Sequence, residues 1–173
     1  MPTLSIVNYP EKILKRKADE VSPRNSEIKN LIAQMIETMC ENQGIGLAAP
    51  QVGISKRIIV VETSTDPRET VKEKKGRPLA FLNPIITKKS EESITEEEGC
   101  LSLPGIFVKV KRSESIELVC QTPGGQEVKI KAGGLTARIF QHELDHLNGK
   151  LIIDRLNLLE KFKLRKHLNE RTR

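Results

Sequence analysis

Apolar residues Ile28, Leu31, Ile32, Met35, Ile36 and Met39 recur three and four positions apart. That period predicts an amphipathic helix from about Ser26 to Asn42, closed by Gly44. Cys40 extends the same stripe and is expected in the core. Before this helix the chain is irregular as far as Ser22-Pro23. After it, Arg57 to Val61 reads as a buried strand, and the polar, charged residues 63–77 read as a surface loop. Leu79 to Thr87, Ile106 to Lys111, Ser115 to Gln121 and Glu127 to Lys131 alternate or run apolar as strands do. Pro123-Gly124-Gly125 supplies a hairpin turn between the last two. Cys120 shares strand parity with Ile116 and Leu118 and should point inward.

A second helix begins near Leu135, after Gly133-Gly134. Leu135, Ile139, His142, His146 and Leu147 keep helical spacing, and Asn148-Gly149 supply a stop. A short apolar segment, Lys150 to Ile153, follows. A last helix is expected over 157–170, with Leu158, Leu159, Phe162 and Leu168 partly on one face. Strands gather in the middle of the chain without helices between them, which predicts an α+β fold rather than a doubly wound one. The expected architecture is antiparallel strands and small mixed sheets packed around the central, histidine-bearing helix, with a C-terminal helix over 156–171.

Composition narrows the class. The 173 residues suffice for a single domain with a real core, and aromatics are only 3% with no Trp, so that core must be Ile, Leu and Val. No apolar run approaches the roughly 20 residues a membrane helix needs. The N-terminus carries no basic stretch followed by an apolar signal core, so a cytoplasmic protein is the expectation. Three cysteines, an odd number, argue against a disulfide framework. The formal net charge is +6, with Lys161, Lys163, Arg165, Lys166, Arg171 and Arg173 crowded at the end. That cluster is either a solvated helix face or a surface for an anionic, RNA-rich partner. Neither a membrane nor DNA is an expected partner.

Two of the three histidines fall in one pentapeptide, His142-Glu143-Leu144-Asp145-His146. On a helix, residues four apart lie about 40° apart in projection, so both imidazoles reach one divalent ion, while Glu143 is turned about 100° away from His142. Glu143 is therefore poorly placed as a third ligand on that face and well placed to act as a general base toward water at the metal. A catalytic site of this kind takes three protein ligands and an open position. A downstream acid, Glu160 or Glu170, would supply the third ligand in a zinc metallopeptidase. The variant with a third histidine after a glycine is excluded, because Ile152 stands at the ligand position that follows Gly149. His167 sits in the basic terminal segment and reads as a surface residue. Cys100 is the stronger candidate: it lies after three glutamates, outside any core pattern, and a thiolate is a strong soft ligand.

Three motifs, in order, carry a resemblance to the peptide deformylase family: Gly44-Ile45-Gly46-Leu47-Ala48-Ala49-Pro50-Gln51, Glu98-Gly99-Cys100-Leu101-Ser102 and Gln141-His142-Glu143-Leu144-Asp145-His146. Pro10-Glu11 with Leu14 and Ala18 is also similar, with Glu11 where the family more often has Asp. The resemblance spans nearly the whole chain. It implies hydrolysis of the N-formyl group from formyl-methionyl peptides, releasing formate. It implies Cys100, His142 and His146 as metal ligands, Glu143 as general base and proton shuttle, and Gln51 with the backbone N–H of Leu101 as oxyanion donors. Ile45 and Gly46 would line or bond the substrate, and Leu135 and Ile139 would help form a methionine pocket. Glu98 and Arg112 would pair behind the ligands. The implied resident ion is Fe2+, replaceable by Ni2+, Co2+ or Zn2+, and the implied partner of the basic terminal helix is the ribosome.

Overall fold

The computed structural model of the chain describes residues 3–23, 26–63, 77–162 and 164. The expected loop at 63–77 falls almost wholly outside these residues, as does the end of the expected terminal helix. Residues 158–162 are helical, and Leu158, Leu159 and Phe162 on that turn are exposed.

Strand β2 (Ile58–Thr63) shows how the core is divided. Its first four residues are apolar and buried on both faces, the signature of a strand sandwiched between two layers. Alternation then sorts them: Ile58 and Val60 join Ile28, Ile32, Met35 and Met39 of helix α1 (Ser26–Glu41), while Ile59 and Val61 join Ala137, Ile139, Phe140, Leu144 and Leu147 of helix α2 (Gly134–Leu147). A one-residue slip would exchange the two sets, so the register is strongly specified. Full burial of each of these aliphatic side chains contributes roughly 1.5–3 kcal/mol.

The strands make two antiparallel sheets. The larger has the order β1-β2-β3-β6-β7, with β1 Gly46–Ala48, β3 Arg77–Lys89, β6 Ser115–Gln121 and β7 Glu127–Gly133. The smaller pairs β4 (Ser93–Cys100) with β5 (Leu103–Ser113). Helix α2 packs beneath β1 and beside β4–β5, so it is central to the domain, as the sequence leads one to expect. Hydropathy does not announce β4: its side chains are exposed except for Glu98 and a half-buried Cys100. It exists because residue after residue pairs with β5, from Ser93 opposite Ser113 to Gly99 opposite Phe107.

Two helix ends are set by backbone chemistry. At the end of α2 the Gly149 amide bonds the His146 carbonyl and the Lys150 amide bonds the Asp145 carbonyl, a Schellman cap with Gly149 left-handed (φ 68°). A side chain at Gly149 would also strike the Lys15 carbonyl oxygen, 2.5 Å from the position of a Cβ. At the end of α1 the same cap forms one residue earlier than the sequence suggests. Gln43, not Gly44, takes the left-handed conformation (φ 54°). The N-terminal arm then ties the two future site loops together, the Val7 amide bonding the Gln51 carbonyl and the Tyr9 amide bonding the Ser102 carbonyl.

One core expectation fails. Cys40 is exposed, because it lies about 100° around the helix from Met39 and past the face that Ile32, Met35 and Met39 bury. Cys120 is buried as expected, and burial pushes its thiol up to about 11. Since the thiolate is the reactive form, a maleimide at pH 8 should modify Cys40 in the native protein and reach Cys120 only on unfolding. Equal native rates, read by peptide mass spectrometry, would contradict this arrangement.

Candidate metal centre

Two elements meet at the site. Helix α2 brings His142, Glu143 and His146. The tight turn between β4 and β5 brings Cys100 and Leu101. The His142 and His146 Nε2 atoms are 3.2 Å apart, and Cys100 Sγ is 3.3 Å from His146 Nε2, so the three donor atoms share one small volume. For metal–nitrogen and metal–sulfur bonds of about 2.0 and 2.3 Å at tetrahedral angles, neighbouring ligand atoms stand about 3.3–3.6 Å apart. The spacing seen here fits such an ion. Among the described residues this is the one cluster of three His, Cys, Asp or Glu side chains arranged to hold a metal.

The electrostatics distinguish the two histidines. His146 is driven well below its ordinary value by burial and by the charge of His142. Burial alone would lower His142 too, but hydrogen bonds to Cys100 and Glu98 carry it up to about 10. His146 is thus a neutral imidazole at neutral pH, with the lone pair a ligand needs, whereas His142 would have to give up a proton to bind an ion.

Behind the candidate ligands sits Glu98. Its Oε2 accepts from His142 Nδ1 at 3.0 Å, which orients the ring and leaves Nε2 facing inward. Arg112 binds the same carboxylate through Nε and Nη2, both at 2.9 Å, and Arg138 adds Nη1 at 2.7 Å. Burial alone would raise Glu98, but the hydrogen bonds from His142 and Arg112 outweigh it and hold the carboxyl at about 2. The expected Glu98–Arg112 pair is therefore present and is one link of a longer chain. Arg112 Nη1 continues to Asp145 at 2.5 Å, and Asp145 also accepts from Arg155.

Gln51 is buried at the turn after β1. Its Oε1 accepts from the Ala48 amide at 2.8 Å, so its amino group must face the other way, where Nε2 lies 3.5 Å from Cys100 Sγ. Glu143 is buried beside it, with Oε2 taking no hydrogen bond from the protein, and burial pushes its carboxyl up to about 7. Gly46 makes that position possible: a Cβ there would stand 2.9 Å from Glu143 Cδ and collide with Oε1. Gln51, Glu98, Cys100, Arg138, His142 and Glu143 open on one cavity of about 560 Å³, the size of a small-ligand or peptide subsite, while His146, Arg112 and Asp145 lie behind it. Ile45, Gly46, Leu101, Leu135 and Ile139 line it together with Gln51, Cys100, His142 and Glu143.

The structure thus brings together every site residue expected from the sequence. It does not bring in Glu160, whose carboxylate accepts from the Asn157 amide in a reciprocal helix cap. Glu170 and His167 lie outside the described residues. Arg138 and Asp145 were not singled out by the sequence. Each falls in the motif helix among apolar neighbours, and a charged residue on a face that must be buried is the signal that marks them.

An α+β domain whose central helix presents two imidazoles and a carboxylate to a cysteine at a hairpin turn defines a class, the metal-dependent hydrolases. Comparison with known proteins makes the assignment particular. Residues 3–162 match the polypeptide deformylase family. The chain is 47% identical over 166 residues to a peptide deformylase of Thermodesulfovibrio yellowstonii, covering 96% of each. It superposes on the crystal structure of the Thermotoga maritima enzyme with TM-score 0.82 and 40% identity, covering 91% of this chain and 99% of that one. A peptide deformylase of Ehrlichia chaffeensis in complex with actinonin gives TM-score 0.88 at 38% identity, covering 100% and 99%. This chain belongs to the polypeptide deformylase family.

Proposed function

We propose that the cavity removes the formyl group from the N-terminus of formyl-methionyl polypeptides, with Glu143 as general base, Gln51 and the Leu101 N–H as oxyanion donors, and Cys100, His142 and His146 holding one divalent ion. The reaction hydrolyses one amide and releases formate and a free amino terminus. The observation that carries the residue assignment is convergence: three soft and borderline donors, a buried carboxylate and an amide N–H2 face one cavity.

The ion, when bound, supplies Lewis acidity that polarises the formyl carbonyl and acidifies water. Glu143 takes a proton from the attacking water and passes it to the leaving amine. The bare backbone of Gly46 leaves room for its carboxylate at the cavity wall. Charge growing on the formyl oxygen is met by the Gln51 amide, which its Ala48 bond has already oriented, so no reorganisation is needed during the reaction. Leu135 and Ile139 form the apolar wall for the methionine side chain, and Ile45 and Gly46, preceding and opening strand β1, offer backbone against which an extended peptide adds as a strand.

Fe2+ is the proposed resident ion, with Ni2+, Co2+ and Zn2+ as substitutes, since a thiolate with two imidazoles suits all of them. Anaerobic purification should return iron, and that protein should release formate from a formyl-Met peptide while leaving unmodified peptides intact in the same assay. Internal cleavage of the unmodified peptides would instead favour a metallopeptidase. We further propose a cytoplasmic enzyme that meets its substrate at the ribosome, supported by the basic cluster from Lys161 to Arg173. Removing residues 165–173 should spare turnover of short formyl peptides and weaken co-sedimentation with ribosomes at low salt. Unchanged co-sedimentation would refute the ribosome contact.

A further inference from the structure

The centre is divided between a helix and a hairpin, and β4 has almost nothing apolar with which to hold itself against α2. Of its residues only Glu98 is buried, and Ile94, its lone large aliphatic, is 40% exposed. Apolar contacts seat the turn itself, where Cys100 packs against the cluster of Leu103, Ile106 and Leu151, but they leave the body of β4 unanchored to α2. Polar bonds set that strand against the helix.

Arg138 is built for this. It lies one helical turn before His142 on α2, and it is 93% buried. Its guanidinium spreads over four acceptors on the hairpin: Glu98 Oε1 at 2.7 Å, Glu96 Oε2 at 2.9 Å, the Ile94 carbonyl at 2.8 Å and the Val110 carbonyl at 3.0 Å. Three of the four are on β4, at alternate residues along the strand. No other side chain among the described residues carries hydrogen bonds from α2 to so many points of β4. Arg112 reaches across in the opposite sense, from β5 to Asp145 on α2, and the two arginines meet on Glu98. A planar guanidinium with a fixed fork of donors sets distance and orientation at once, which a lysine cannot do.

We propose that Arg138 is a positioning residue that holds the β4–β5 hairpin, and with it Cys100, in register with His142 and His146, so that it governs how tightly the ion is kept. The proposal rests on the reading of those three residues as the ligands. Arg138 also lines the cavity, so the test must separate positioning from substrate contact.

The measurement is the rate at which Zn2+-loaded full-length protein gives up its ion to a chromogenic chelator, together with the thiolate-to-metal absorption of the Co2+ form. Partners behind ligands typically change metal affinity by roughly 10–100-fold. Arg138→Met should accelerate release by about 10-fold, at the lower end of that range, and weaken the Co2+–thiolate band. Arg138→Lys, which keeps charge and stem but loses the fork, should fall between it and the parent. Should Arg138→Met fail to fold, Arg138→Lys decides: faster release sustains the proposal and the parent rate overturns it. Variants that only lower thermal stability, or only raise KM, with release and spectrum unchanged, overturn it as well. Cys100→Ser keeps the two readings apart. If it releases the ion at the parent rate, the ligand assignment falls and takes the proposal with it. If it releases fast while both Arg138 variants match the parent, only the positioning role falls.

Discussion

Replacing Glu143 by Gln should lower formate release by about 10²–10⁴-fold, the usual contribution of a positioned general base, while the protein still binds one metal ion per chain. Glutamine has the shape of the glutamate and meets the same Gly46 backbone, so the cavity keeps its walls. What disappears is the ability to accept a proton from water. The proposed ligand atoms belong to Cys100, His142 and His146, none of which the substitution touches. Activity and metal content therefore separate cleanly, and formate assay beside metal analysis reads both. Turnover within 10-fold of the parent would remove Glu143 from the role of base. Loss of the ion along with activity would mean the carboxylate holds the centre together instead.

The other large effect belongs to Glu98. Its carboxylate is buried between Arg112, Arg138 and His142. Glu98→Ala leaves two buried guanidinium groups without that counter-charge and takes the acceptor from His142 Nδ1. Breaking a buried ion pair from one side costs about 3–5 kcal/mol, which for a chain of this size lowers the thermal midpoint by roughly 6–20 °C. Without its acceptor the His142 ring is free to turn, and metal affinity should fall by about 10–100-fold. Differential scanning calorimetry and equilibrium dialysis test the two halves independently. A midpoint within 2 °C of the parent would show that Asp145 and Glu96, which already pair with Arg112 and Arg138, suffice to neutralise the arginines.

Much of this was legible in the chain. The α1 and α2 stripes, the apolar run of β2 and the alternation of β6 each follow from a period matched to one local geometry, and burial then acts on that geometry. The pentapeptide could be read as chemistry for the same reason, since three functional groups on one helical turn are placed by the helix alone. Strand β4 was not legible, because its stability comes from pairing with β5 and not from a pattern of its own. Cys40 misled because a stripe read from sequence has no sharp edge. The width of the face that α1 buries depends on how closely β1 and β2 approach it.

The sequence alone determined the helices, the apolar strands and the His142–His146 turn, and through motifs roughly 40 to 50 residues apart it pointed to Gln51 and Cys100 as the distant candidate partners. Only the tertiary structure decided how they meet: Gly46 leaving room for Glu143, the Gln51 amide turned by Ala48, and two arginines crossing between α2 and β4–β5 onto Glu98. Local period is written residue by residue, because backbone geometry repeats. Contact across elements is not, because it depends on the packing of several segments at once, and a buried charge shows its partner only when the chain has closed around it.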